Sequence, residues 1–339
     1  FFSSCNSMAD KPLFSFGVVA DVQHADVEDG LDFFCTTLRR YRGAATRLNE
    51  ACKHFQEENV DFMVNLGDLI DGKSRTPSPE TKDLTDEERA SLIWENNLVP
   101  CFERNGFQFW NPKTSNEGRK FVHNVVGNHE LYCFSRQNLA QKLFSNSNNN
   151  RHYYSFIPHP SFRIIILDSY DFSTLNGGSE ETSAAFSFIE NKNPNDIRAN
   201  VDWFVGVEGV ERRWVPFNGS IGDEQLVWLE EELQIAKKED QKVIILSHCH
   251  LCEGVARPGS LAWNYDRVLS SLHHENCVVA VLNGHDHRHG YLQDNKKIHH
   301  WSVPSILESA DGAHAVLDVY ADRIEIQGGG EIDSFVWEL

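Results

Sequence analysis

The sequence predicts an α/β fold with substantial parallel strand pairing, and three observations predict it. Short apolar runs of strand length recur along the chain, amphipathic stretches of helical period lie between them, and the runs end in polar loops containing Asp, Asn or His. Leu13 to Ala20 ends at Asp21, Asp61 to Leu66 at Gly67-Asp68, and Val122 to Val126 at Gly127-Asn128-His129. Phe162 to Leu167 ends at Asp168, Val243 to Leu246 at Ser247-His248, and Val278 to Leu282 at Asn283-Gly284-His285. Runs this short suit buried strands better than helices.

Helices are expected over Ala44 to Glu57 and Thr85 to Arg104, the latter opening on Thr-Asp-Glu-Glu, a good cap and first turn. Gly222 to Lys238 and Leu261 to Leu272 read as two more. From Ile298 onward the chain reads as antiparallel strands, with Ala313 to Tyr320 and Arg323 to Gln327 joined at Ala321-Asp322. Two stretches look like insertions, 73–85 and 169–222, and the second is long enough to be a functional loop or cap with short helices of its own. Residues 8–339 are read as one domain, and residues 1–7, ahead of Met8, as an upstream or artificially added segment.

With 339 residues, 40% of them apolar, the chain can bury one large core or two modest ones. Its 31 basic and 50 acidic residues give a net charge of -19, which argues against a broad grip on nucleic acid. Positive charge for a phosphate substrate would have to come from bound cations or a few well-placed side chains. No stretch approaches the roughly 18 apolar residues of a membrane span. The eight cysteines are too scattered for a disulfide framework, so a reducing, cytoplasmic setting is expected. Cys249 and Cys252 form a Cys-x-x-Cys pair, but no second pair or suitable context supports a redox or zinc-ribbon reading. The sequon Asn218-Gly219-Ser220 is read as a chance match.

Five polar clusters follow the apolar runs: Asp21-Val22-Gln23, Gly67-Asp68-Leu69-Ile70-Asp71, Gly127-Asn128-His129-Glu130, Ser247-His248 and Gly284-His285-Asp286-His287. Singly, each reads as a turn or a surface residue. Together they place carboxylate, amide and imidazole donors at the carboxyl ends of predicted strands, where open α/β sheets bind ligands. That donor mixture is the one a binuclear hydrolase needs.

The ordered set resembles the signature of the calcineurin-like metallophosphoesterases, over about Phe14 to His287. The resemblance implies a four-layer αββα sandwich with two mixed β-sheets, and two divalent metal ions. Asp21, Gln23, Asp68 and His287 would hold one metal, and Asp68, Asn128, His248 and His285 the other, with Asp68 bridging. Two cations about 3.5–4 Å apart can clamp a phosphoryl group and activate a hydroxide. His129 would face the substrate, stabilising charge or protonating the leaving oxygen, with Asp71 fixing its tautomer.

One residue departs from that signature: the first motif normally reads Asp-x-His, and here Gln23 stands in the third place. A neutral carboxamide oxygen is a harder, weaker donor than imidazole, which favours Mn²⁺, or Mg²⁺, over Zn²⁺ or iron. The alternative register uses His24, which in an extended chain would point away from Asp21.

Within that superfamily, Asp21 to Arg42 looks most like the manganese-dependent ADP-ribose/CDP-alcohol diphosphatases, through Ala20-Asp21-Val22-Gln23, the acidic 25–30 run and Arg39-Arg40-Tyr41-Arg42. Phe217-Asn218-Gly219, ahead of a helix containing Gln225 to Leu229, adds to the likeness. It implies hydrolysis of the phosphoanhydride of ADP-ribose, CDP-choline and related nucleoside diphosphate derivatives to two phosphomonoesters, by a protein acting as a monomer without nucleic-acid or membrane partners. Candidate substrate contacts are Phe33, Tyr41, Phe217 and Cys252, with Phe34, Trp203, Phe204 and Trp214 as further aromatic candidates. Cyclic nucleotides, phosphomonoesters or phosphoproteins are the competing substrates for the same machinery, and a metal-free scaffold is disfavoured because only the first motif is altered.

Overall fold

The computed structural model describes residues 11–32, 35–110, 120–144, 151–175, 180–199 and 202–339. The segment 1–7 and Phe33 and Phe34 lie outside them. Two mixed sheets form the centre. One runs, in spatial order, Phe335–Glu338, Arg323–Gly330, Ala313–Val319, Phe14–Val19, Phe62–Asn65, Lys120–Asn124 and Phe107–Phe109. The other runs Gly290–Gln293, His299–Ser302, Val278–Asn283, Lys242–Ser247, Phe162–Ile166 and Tyr154–His159.

The central strands pair in parallel: Phe14–Val19 with Phe62–Asn65, that strand with Lys120–Asn124, and Lys242–Ser247 with both Val278–Asn283 and Phe162–Ile166. Their apolar runs are continuous because both faces are buried. Phe16, Val18, Val64, Ile164, Ile166, Ile244, Leu246, Ala280 and Leu282 share the core between the sheets. The alternate residues, Val19, Met63, Ile165, Val243, Ile245 and Val281, meet the helices instead. Tyr41–Glu57 contributes Ala44, Leu48 and Phe55 to that outer core, and Asp223–Lys238 contributes Leu226, Leu229 and Leu233. The four-layer αββα sandwich follows.

Two helices differ from the sequence expectation. The stretch expected over Thr85 to Arg104 does begin with a Thr85–Glu88 capping box, but it is interrupted after Ile93 by a wider turn, Trp94–Leu98, before resuming at Val99–Glu103. Pro100 lacks an N–H and its ring clashes with the preceding turn, which accounts for the change of winding. The helix expected from Leu261 starts only at Tyr265, because Leu261 and Ala262 first bridge to His250. The tail is antiparallel as expected, from Ala313–Val319 through Arg323–Gly330 to Phe335–Glu338. Among the described residues, no helix is long and apolar enough to cross a membrane.

The 169–222 insertion contains the helix Glu180–Glu190 and has a small core of its own, in which Ala185, Ile189, Ile197 and Trp214 pack with Trp263. That core anchors the insertion on the face of the molecule where the parallel strands end.

Candidate metal centre

Asp21, Gln23, Asp68, Asn128, His248, His285 and His287 follow the carboxyl ends of five parallel strands, and the fold brings them together. Ligand atoms of Asp68, His248 and His285 all lie within 4.8 Å of one another. Beside them, Nε2 of His287 is 3.4 Å from Oδ1 of Asp21, and the Gln23 amide donates to Asp68 at 3.0 Å.

The backbone here is held in an uncommon conformation. Asp21, Gln23, Asp68, His285 and His287 all have positive φ, at 49°, 42°, 59°, 70° and 66°. Non-glycine residues rarely adopt this region, and such strain concentrates at functional sites. Gly67 has φ of 102°, and a Cβ there would lie 2.4 Å from Nδ1 of His248. Only glycine fits.

Glu130 ties the loops together. Its fully buried carboxylate accepts from the backbone N–H groups of Asp68 at 2.8 Å, Leu69 at 2.5 Å and Gly127 at 2.9 Å. Burial and the neighbouring Asp68 push this carboxyl up to about 7.

Hydrogen bonds fix the rings. Nδ1 of His248 meets the Leu66 carbonyl at 2.7 Å, so it bears the proton and Nε2 faces Asp68 Oδ2 at 3.3 Å. Nδ1 of His287 meets Glu308 at 2.7 Å, which aims its Nε2 at Asp21. Nε2 of His285 meets the Asn218 side-chain oxygen at 2.7 Å. Burial alone would raise the Asp68 carboxyl, but His248, His129 and His285 outweigh it and hold it well below the usual carboxylate range. Burial likewise opposes charge on His248 and His287, yet Asp68 and Asp21 carry both imidazoles up to about 9.

These residues fit divalent cations. Asp21 Oδ1, Gln23 Oε1 and His248 Nε2 are buried with no hydrogen-bond partner. Each such atom costs about 1–3 kcal/mol, and cations among these donors would satisfy them together.

A cavity of about 440 Å³ opens over this cluster. Gln23, Asp68, Asn128, His129, His285 and His287 line its floor, and Trp203, Phe204, Arg212 and Phe217 from the long insertion form one wall. Arg39, Tyr132 and the turn Arg257 to Ser260 complete it. Nδ1 of His129 is 3.1 Å from Asp71 Oδ2, and Asp71 also accepts from the backbone of Lys73 at 2.8 Å. Burial would lower the His129 imidazole, but Asp71 and Asp68 hold it above its ordinary value.

Metal donors, a facing histidine and a cavity large enough for a nucleotide describe a phosphohydrolase, and comparison with known proteins agrees. A model of the calcineurin-like phosphoesterases matches residues 14–289. The chain belongs to that family. It is 35% identical to the manganese-dependent ADP-ribose/CDP-alcohol diphosphatase of Arabidopsis thaliana over 337 residues, covering 98% of this chain and 99% of that one. Its identity to the Homo sapiens protein of the same name is 30%, over 96% of this chain and 93% of that one. Among solved structures, it is similar to a dimetal phosphatase from Danio rerio, with a TM-score of 0.81, 31% identity and coverage of 97% and 99%. The chain is a metal-dependent phosphohydrolase.

The structure places Gln23 in the cavity and turns His24 away, its Nδ1 2.9 Å from the Tyr41 carbonyl. The reason is not the extended alternation expected from sequence, since the chain is left-handed at both Asp21 and Gln23. Phe217, Trp203 and Phe204 line the cavity, whereas Trp214 lies in the core of the insertion.

Two candidate substrate contacts, Tyr41 and Cys252, do not line this cavity. Tyr41 starts a helix and is buried with Ala25 and Leu307, its ring covered by the Lys73 ammonium at 4.4 Å. Cys252 is buried and does not line the cavity. Cys249 and Cys252 are free thiols that burial pushes up to about 12 and about 11, which leaves them unreactive.

Sequence reasoning missed Glu130, Glu308, Asn218 and Asp286. Glu130 carries a legible signal, three residues beyond Gly127 at a helix start, where a carboxylate caps the first turn. Asn218 was read as a sequon and as part of the Phe217-Asn218-Gly219 likeness, not as a partner of His285; it is fully buried against that ring and donates to the Arg213 and Gly259 carbonyls, which leaves no room for a glycan. Asp286, given no role in the sequence reading, lines the cavity and pairs with Arg257. Nothing in the sequence points to Glu308, which reaches His287 only through the fold.

Proposed function

We propose that this chain hydrolyses the phosphoanhydride bond of ADP-ribose, CDP-choline and related nucleoside diphosphate derivatives, with Mn²⁺ as the preferred metal. One observation supports it above the rest: the aromatic wall of Trp203, Phe204 and Phe217 faces the metal donors across a single cavity of about 440 Å³. A ring system can stack there while its phosphates reach the donors. The names of the relatives in Arabidopsis thaliana and Homo sapiens support the same reading.

In this reading Asp21, Gln23, Asp68 and His287 hold one cation and Asp68, Asn128, His248 and His285 the other. Bound, the two cations neutralise phosphoryl oxygens and make water a hydroxide nucleophile near neutral pH. Asp68 belongs to both donor sets, and Glu130 keeps its loop fixed through the backbone. Glu308 and Asn218 hold the imidazoles of His287 and His285 in place. His129, oriented by Asp71, donates a hydrogen bond or a proton to the departing phosphate oxygen. Water adds to one phosphorus, the bridging P–O bond breaks, and the bridging oxygen leaves with the second phosphate, giving two phosphomonoesters.

The test is turnover by the Mn²⁺-loaded protein of ADP-ribose, CDP-choline, cyclic AMP and a phosphopeptide at matched concentrations. The first two should dominate in kcat/KM. Faster turnover of cyclic AMP or the phosphopeptide would reassign the substrate.

A further inference from the structure

Three guanidinium groups line one cavity of a chain whose net charge is -19. Arg39 is committed to Glu308, at 3.1 Å. Arg257 is held differently. Its Nε donates to Asp286 Oδ1 at 2.5 Å and one terminal nitrogen to the Asp286 carbonyl at 2.7 Å. Both bonds go to one residue, which sits between His285 and His287, so the guanidinium is anchored at the margin of the metal centre, its other terminal nitrogen without a partner among the described residues.

Arg212 comes from the long insertion and lies over the Phe204 ring at 4.6 Å. Among the described residues no carboxylate lies within ion-pair distance of it. The turns Gly209–Arg213 and Pro258–Ser260 pack together, and a Cβ at Gly259 would sit 3.3 Å from the Phe204 ring. One cation is pre-aimed by an acid and the other has none among the described residues, on adjoining turns of one cavity wall. That arrangement suits a ligand that brings its own negative charge.

We propose that Arg257 and Arg212 clamp the substrate phosphate that is not attacked, and so select diphosphates over monophosphates. The proposal rests on the diphosphate reading above. When the bridging P–O bond breaks, the bridging oxygen leaves with that second phosphate, whose charge rises by one. Two fixed guanidiniums meet the growing charge where it forms.

The experiment is calorimetric binding, with Mn²⁺ present, of α,β-methylene-ADP and of AMP. The methylene bridge prevents cleavage. The parent should bind the diphosphate analogue more tightly than AMP. Each of Arg257→Gln and Arg212→Gln should lose roughly ten- to hundredfold of that preference, as expected for one charge-assisted hydrogen bond, and the double variant should bring the two Kd values together. A double variant that keeps the parent's ratio, or loses affinity for both ligands in step, overturns the clamp. Near-UV circular dichroism and Mn²⁺ occupancy check the fold. Should Arg257→Gln not fold, Arg257→Lys keeps the charge without the fork and should give an intermediate ratio; a ratio equal to the parent's counts against the proposal. Turnover of ADP-ribose by the parent is scored separately, so a parent inert towards it sinks the substrate assignment while the binding ratio still decides the clamp.

Discussion

Replacing Glu130 with Gln changes one atom and should loosen the whole metal centre. The parent carboxylate accepts three backbone N–H bonds, two on Oε2 from Asp68 and Gly127 and one on Oε1 from Leu69. An amide has one acceptor oxygen, so in its better orientation it keeps two of these bonds and turns its NH₂ towards the Leu69 N–H. One buried unpaired donor costs about 1–3 kcal/mol, and the remaining bonds lose about 1 kcal/mol each with the charge. Relief of repulsion from Asp68 offsets part of this, leaving about 3 kcal/mol. With an unfolding entropy of about 2.1 cal/mol/K per residue, that corresponds to a fall in Tm of roughly 4 °C. The same change frees the Asp68 loop, so the Mn²⁺ concentration for half-maximal activity should rise about tenfold or more, in line with loss of a partner that orients a ligand. Differential scanning calorimetry of the metal-free protein and a Mn²⁺ activation curve measure the two effects. A variant that melts with the parent and shows the same Mn²⁺ dependence would refute the idea that Glu130 splints the site.

Further outcomes follow from the same geometry. His129→Ala should retain metal, by elemental analysis, while kcat falls about 10²–10⁴-fold; parent-like turnover removes His129 from the reaction. Gln23→His should shift the site from Mn²⁺ towards Zn²⁺ in parallel titrations, and coincident curves would mean that Gln23 touches no metal. Gly67→Ala forces a side chain into His248 at a left-handed position, at a cost of about 1–3 kcal/mol from steric crowding and strain; an unchanged melting point with full metal occupancy would contradict this.

The order of strands and helices was legible because apolar runs of strand length and helical spacing reflect burial, which is a local property of each segment. Phe14–Val19 and Lys242–Ser247 emerge from such runs almost residue for residue. The helix after Thr85 was misread where Pro100 and tertiary packing overrode its amphipathic pattern. Asp21, Asp68, Asn128, His248, His285 and His287 could be proposed because each follows a strand-length apolar run and the clusters, in order, resemble a metallophosphoesterase signature.

By itself, then, the sequence determined the α/β class and, through its resemblance to a known signature, nominated a donor set in which Gln23 is the departure. Only the tertiary structure decided what surrounds that set. Glu308 orients His287 from 21 residues away, and Asn218 reaches His285 from 67 away. Arg257 and Arg212 share a wall because two turns distant in the chain pack together. Tyr41, in the segment that follows the first motif in sequence, faces a separate small core. Side-chain hydrogen bonds between remote segments leave no periodicity in the chain, so no local pattern could have announced them.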